Sequence, residues 1–162
     1  MKRDANLVRL TREHHKALAL ALRIERDLPG ADDEGAETLY RDVAEFWERA
    51  LLAHFRAENE CLLTRLSRHV KLDDELIART CRDHIALDAE IIRMRDDPGA
   101  RREGLRRFGE LLREHVHWEE EVLFQRAQET LSPGEMAALG GDLRERLPER
   151  IDFPPEKLYP KR

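Results

Sequence analysis

Apolar residues recur at intervals of three and four along four long stretches of the chain, and this is the period of an α-helix. The stretches are residues 4–28, 35–68, 73–94 and 101–130. Asp4 and Asp73 are suited to cap the first and third, and proline-glycine pairs at residues 29–30 and 98–99 follow those two. No stretch alternates apolar and polar residues as a half-buried strand would. The pattern therefore predicts an all-α protein.

The short connections between these stretches favour antiparallel neighbours, so we expect an up-down-up-down four-helix bundle. Ser132 and Pro133 form a cap and first-turn signal for a short fifth helix to about Leu147, loosened by the glycines at residues 140–141. The last 15 residues hold four prolines and should lie extended along the surface. We expect residues 1–131 to form the bundle. Residues 132–162 should form a helix and tail that pack on it or trail from it.

A histidine and a glutamate four residues apart occur twice within the predicted helices, as His54 with Glu58 and as His115 with Glu119. Residues four apart share one face of a helix. A single pair of this kind is typical of exposed, charged helices. Two pairs on apolar stripes indicate a metal site.

Each pair follows, one helix later, an acidic-histidine dipeptide: Glu13-His14 comes before the first pair and Asp83-His84 before the second. The two halves of the chain thus resemble each other, and aligning them favours His14 over its neighbour His15. The other histidines, His15, His69 and His117, are expected at the surface. The predicted metal ligands are His14, His54, Glu58, His84, His115 and Glu119.

The loop positions place these residues at one level of the bundle, because residues equidistant from a helical hairpin turn lie at similar height. The mean of 14 and 54 is 34, that of 58 and 84 is 71, and that of 84 and 115 is 99.5. All three midpoints fall in predicted connections. We therefore expect a single layer that contains a histidine or glutamate from each helix.

Four imidazoles and two carboxylates are too many for one tetrahedral zinc, but they suit two octahedral ions. If the two glutamates bridge, each metal receives two oxygens and two nitrogens. About two positions per metal then remain for water, a bridging oxo or hydroxo group and a small ligand. Two iron ions are the expected cofactor, with zinc or manganese as alternatives. Open positions on iron would allow chemistry with O2, NO or peroxide.

These residues, with the acidic run at positions 119–121 before Val122, Leu123 and Phe124, resemble the hemerythrin-like HHE cation-binding family over residues 4–130. The resemblance implies a non-haem di-iron four-helix bundle. Family members bind O2 reversibly, sense O2 or iron, or act in nitrosative-stress defence and iron-sulfur repair. The leading hypothesis is therefore binding of O2, NO or peroxide by a sensor, store or stress-response protein. The alternative is an enzyme of peroxide or NO detoxification, or an iron donor in repair.

Two features differ from the family's subgroups. The oxygen carriers have a five-histidine pattern, with a second histidine four residues from the one on the third helix. In this chain the residues four positions before and after His84 are Thr80 and Asp88. The repair proteins carry a cysteine-bearing region before the bundle, whereas this chain begins almost directly at the first helix. Asp88 could be a spare ligand, an acceptor for a ligand or simply polar, and Glu120 could accept a hydrogen bond from a ligand histidine.

Trp47 and Phe108 each stand seven residues before a ligand histidine, and they are expected in the core or as walls of a small-ligand pocket. Cys61 and Cys81 are equidistant from the middle of the second connection, so they should face each other at similar height in the bundle. They are expected to be core thiols or a redox pair. Two cysteines are too few for a disulfide framework.

The remaining composition argues against other partners. A formal charge of −5 with both signs intermixed gives no footprint for nucleic acid. The first residues lack the apolar core of a signal peptide, and no apolar run reaches membrane-spanning length. We therefore expect a cytoplasmic protein whose partner is a diatomic molecule or peroxide, with no membrane and no nucleic acid bound.

Overall fold

A computed structural model describes residues 2–159, and this range folds into helices without a β-strand. The four long helices are α1 (Val8–Asp27), α2 (residues 33–66), α3 (Glu75–Asp96) and α4 (residues 101–130). Two short helices follow, α5 (Pro133–Arg146) and α6 (Pro155–Leu158). The predicted all-α bundle with a short extra C-terminal helix is confirmed. None of the described helices has the length and apolar character needed to cross a membrane.

Aspartates mark the starts of two helices, although not always where the sequence placed them. Asp32 accepts a hydrogen bond from the backbone of Gly35 at the start of α2, and Asp74 caps α3 by accepting one from Leu76. The cap predicted at Asp73 was therefore one residue early. The predicted start of α1 at Asp4 was also wrong. The Asp4 side chain stabilises a preceding turn by accepting from the backbone of Asn6, and the helix begins only at Val8.

Three π-helical turns interrupt the long helices, at Trp47–Leu51 and Glu58–Leu63 in α2 and at Glu119–Leu123 in α4. Four residues advance an α-helix about 40° beyond a full turn, so apolar residues spaced by four drift around it. The buried face of α2 has this spacing at Leu39, Val43, Trp47 and Leu51. A π turn takes up one extra residue. The rotation of about 100° that this residue accounts for offsets the drift that accumulates over two or three spacings of four residues. The turns thus keep the buried face directed at the bundle axis.

The buried apolar side chains form two clusters, one on either side of the layer that holds the predicted ligands. The first cluster includes Ile24, Phe46 and Phe108, and the second includes Leu10 and Leu62. Burial of such side chains is the main driving force for folding, at about 25 cal/mol per Å² of apolar surface. The layer is therefore enclosed by apolar packing at both ends.

The C-terminal residues belong to the same core. From α5, Leu139 and Leu143 pack in the second cluster, while Ile151 and Phe153 of the following segment reach back to the first. Phe153 meets the Phe46 ring edge-on at 5.1 Å between centroids. Residues 148–159 thus pack on the bundle, with a helical turn in α6, whereas residues 160–162 of the predicted tail lie outside the described range. The domain division at residue 131 stays a prediction.

Candidate metal centre

The six predicted ligands converge at mid-height in the bundle. They come from all four long helices, and His84 is the most accessible of them at 6% exposure, whereas Glu58 and Glu119 are fully buried. Each histidine-glutamate pair has a π turn beginning at its glutamate. π turns inside α-helices are frequent at functional sites.

Glu58 lies between two pairs of histidines. In the first pair, the Nε2 atoms of His14 and His54 are 3.0 Å apart, and Glu58 Oε1 lies 3.2 Å from His54 Nε2. In the second pair, His84 Nε2 lies 3.3 Å from the other oxygen, Oε2. Glu58 therefore presents one carboxylate oxygen to each pair.

Glu119 occupies the equivalent position on the opposite helix. Its Oε2 lies 3.1 Å from His14 Nε2 and 3.3 Å from His115 Nε2, while Oε1 lies 3.8 Å from His84 Nε2. Two groups result, in each of which the potential ligand atoms lie within 4.8 Å of one another. They are His14, His54, Glu58 and Glu119, and Glu58, His84, His115 and Glu119. Both carboxylates are shared between the groups.

The outer nitrogen of each histidine in the first pair donates to a carboxylate. His14 Nδ1 lies 2.7 Å from Glu120 Oε1, and His54 Nδ1 lies 2.8 Å from Glu13 Oε2. Glu120 also accepts from the Thr11 hydroxyl at 2.9 Å. The contact of Glu120 agrees with its expected role as an acceptor for a ligand histidine.

In the second pair, His84 Nδ1 lies 2.9 Å from the side-chain oxygen of Asn59, and His115 Nδ1 lies 3.4 Å from Asp83 Oδ2. The four contacts follow one rule, because each helix supplies an acceptor to the histidine of the next helix around the bundle. Each acceptor stands directly beside a predicted ligand in the sequence: Glu13 and Asp83 precede a histidine, and Asn59 and Glu120 follow a glutamate.

These contacts set the tautomer of the rings. A neutral imidazole whose Nδ1–H donates outward has a lone pair on Nε2, which here points into the layer. Nε2 of His84 and His115 and all four carboxylate oxygens of Glu58 and Glu119 are buried without a hydrogen-bond partner. Buried polar atoms are almost always satisfied, and facing lone pairs repel unless a cation lies between them. The mixed nitrogen and oxygen donors fit a transition-metal site.

The electrostatics of the layer favour bound positive charge. Burial by itself would lower the pKa of His54 and His84, but the neighbouring carboxylates outweigh it and raise the pKa of each to about 9. Burial likewise opposes ionisation of Glu58, yet the surrounding histidines hold its pKa well below the usual value. Protons and metal cations compete for the same lone pairs in such a site.

Aromatic rings stack on two of the histidines. Phe55 stacks on His84 with centroids 4.2 Å apart, and Phe124 stacks on His14 at 5.2 Å. Trp47 contacts the Phe55 ring at 5.7 Å and the Phe108 ring at 6.1 Å. Trp47 and Phe108 thus belong to the core, and Phe55 separates the Trp47 ring from His84.

Several other residues singled out in the sequence lie away from the layer. His15, His69, His117 and Asp88 are exposed, and none of them joins either potential ligand group. Cys61 is buried and Cys81 is half-buried, both as free thiols packed in or against the second cluster. Burial raises the pKa of both thiols, so they remain protonated at neutral pH.

The acceptor roles of Glu13, Asn59 and Asp83 were missed by the sequence reasoning. The sequence pattern presents Glu13 and Asp83 only as parts of the repeated dipeptides. Their signal was the repetition itself, since an acidic residue is placed beside the same histidine in both halves of the chain. Asn59 had no such signal because its counterpart in the other half, Glu120, is a different residue type.

The family model described as the hemerythrin HHE cation binding domain matches residues 6–127. The match confirms the resemblance drawn from the sequence, and it spans all six predicted ligands. Comparisons with curated proteins and with solved structures gave no match.

Proposed function

The chain belongs to the hemerythrin HHE cation-binding domain family, and we propose that it binds two iron ions in the histidine-glutamate layer. His14 and His54 would hold one metal, His84 and His115 the other, and Glu58 and Glu119 would bridge them. The observation that supports this assignment is the set of buried Nε2 and carboxylate atoms that have no partner and face one another. In a purely structural layer, only protons shared between the histidines and the two carboxylates could offset the desolvation of these atoms.

Bound iron would supply reversible or redox binding of O2, NO or peroxide at positions that the six side chains leave free. The chain's own residues prepare the site for it. Glu13, Glu120, Asn59 and Asp83 hold the imidazole tautomers, and such contacts orient ligands and raise their basicity. Phe55 and Phe124 cover the rings of His84 and His14 and limit the access of water.

We therefore propose a small-ligand-binding protein that acts as a sensor, store or stress-response protein for O2, NO or peroxide. The test is anaerobic loading with Fe²⁺, followed by absorption spectra after addition of each ligand in turn. The expected result is a stoichiometric spectral change that reverses when O2 or NO is removed, and that is lost in His54→Ala. Consumption of many equivalents of NO or peroxide would instead support an enzyme. No spectral change with any of the three would overturn the proposed function.

A further inference from the structure

We propose that the two metal positions are unequal, and that the position of His14 and His54 binds its metal more tightly than the position of His84 and His115. This inference rests on the proposed dinuclear site. It is carried by the side chains that accept hydrogen bonds from the outer ring nitrogens, which differ in charge, distance and burial between the two pairs.

The first pair is supported by two carboxylates at short distances, Glu120 at 2.7 Å from His14 Nδ1 and Glu13 at 2.8 Å from His54 Nδ1. Charge-assisted hydrogen bonds are roughly twice as strong as neutral ones. A carboxylate on Nδ1–H makes the opposite nitrogen a more basic ligand. The Glu13 side chain is only 7% exposed, so solvent screens its charge little.

The second pair has weaker support. His84 Nδ1 donates to the neutral amide oxygen of Asn59 at 2.9 Å, and Asn59 is exposed to solvent. His115 Nδ1 lies 3.4 Å from Asp83, a long contact for a charged acceptor. This position therefore has one carboxylate instead of two, and at greater distance.

Neighbouring arginines do not remove the difference. Arg3 pairs with Glu120 next to the first position, and Arg79 Nε lies 3.7 Å from Asp83 Oδ2 next to the second. Each position thus has one carboxylate that faces an arginine. The buried Glu13 has no counterpart beside the second position, where the exposed amide of Asn59 stands instead of a fourth carboxylate. The first position therefore retains about one more negative charge close to its metal.

The consequence is a preferred order of loading. Changes in such outer contacts typically alter metal affinity by about 10- to 100-fold. We expect Fe²⁺ to bind first between His14 and His54, with a second dissociation constant about 10-fold weaker or more. Chains given one equivalent of Fe²⁺ should then hold it mainly at the first position.

The test is an anaerobic Fe²⁺ titration in competition with a chelator, applied to the full chain and to two variants of matched size. Asn59→Asp supplies the missing carboxylate and should tighten the weaker constant several-fold while leaving the tighter one unchanged. Glu13→Gln removes a carboxylate and should weaken the tighter constant about 10-fold. Circular dichroism of both variants checks that they are folded. The expected tightening in Asn59→Asp is a second check, because a loss of folding cannot tighten metal binding.

Gln125→Glu is the control for added charge, because it places a new carboxylate on an exposed position of α4 and should change neither constant. Equal constants in the unchanged protein, or a tighter first constant in Asn59→Asp, would overturn the inequality. Binding of fewer than two Fe²⁺ per chain would instead overturn the dinuclear site itself. The two failures are therefore distinguishable in one titration.

Discussion

At the scale of single residues, the inward side chains of the layer and the acceptors around it have different roles. The six inward side chains present lone pairs and negative charge, while the four outer acceptors determine which nitrogen of each ring has the proton. A histidine without an acceptor can rotate or exchange tautomers, and either change would remove a donor atom from the layer. The acceptors therefore matter to metal binding even though none of them belongs to either potential ligand group.

Replacing either shared carboxylate should remove metal. Glu58→Gln and Glu119→Gln preserve size but lose the anionic oxygen offered to both histidine pairs, so each variant should lose at least one metal per chain by elemental analysis. Glu121→Gln is the matched control, because Glu121 is exposed and should retain full metal content when changed. Full two-metal occupancy in both test variants would show that neither glutamate bridges.

The adjacent histidines of α1 give a second comparison at this scale. His14 is buried with Nε2 in the layer, whereas His15 is exposed on the outer face. His14→Ala should therefore lower metal content, and His15→Ala should leave it unchanged. The opposite result in elemental analysis would place His15 in the site.

At the scale of elements, the long helices follow the sequence pattern closely, but their irregular turns do not. The stretch predicted at residues 101–130 is the observed α4, and the interior of α2 also agrees. The π turns could not be read from a helix period, because they arise from the packing of the whole bundle around an axis. Only the repeated spacing of four at Leu39, Val43, Trp47 and Leu51 hinted at an underwound α2.

The same limit applies to the site. The convergence of the six predicted ligands could be foreseen, because residues four apart share a face and hairpin geometry sets their level. The acceptors were harder to predict, because the Glu13 carboxylate accepts a hydrogen bond from a histidine on the neighbouring helix rather than from a residue of its own helix. Contacts of this kind depend on the rotation of each helix about its axis, which spacing alone does not define.

Two adjacent glycines in α5 test how closely that helix packs on the start of the chain. A Cβ at Gly140 would lie 2.1 Å from Asn6 Oδ1 and 2.8 Å from Asn6 Cβ, whereas one at Gly141 would meet nothing within 4 Å. Gly140→Ala should therefore destabilise the protein by about 1–3 kcal/mol. Gly141→Ala should stabilise it by about 0.5–1 kcal/mol through helix propensity. Chemical denaturation measures both, and equal effects would contradict the close contact.

At the scale of the whole molecule, the layer joins all four helices between two apolar clusters. Its buried carboxylates and lone pairs oppose folding until a cation compensates them. Residues from α5 to Phe153 contribute apolar side chains to both clusters, and they therefore help to enclose the layer.

Metal binding should therefore stabilise the entire fold. A ligand present at about 1,000 times its dissociation constant adds about 4.1 kcal/mol when it binds only the folded state. The thermal unfolding midpoint should rise with Fe²⁺ and fall after chelation, and Glu58→Gln should show a smaller difference. An unfolding midpoint that is the same with and without metal would show that metal does not stabilise the fold.

The most direct test of the dinuclear site is the metal content of the protein, measured by elemental analysis after anaerobic loading with Fe²⁺ and removal of free metal. The predicted result is about two irons per chain, reduced by at least one in Glu58→Gln and in Glu119→Gln. A chain that retains no metal, or a single ion that is unaffected by either substitution, would contradict a dinuclear site bridged by the two glutamates.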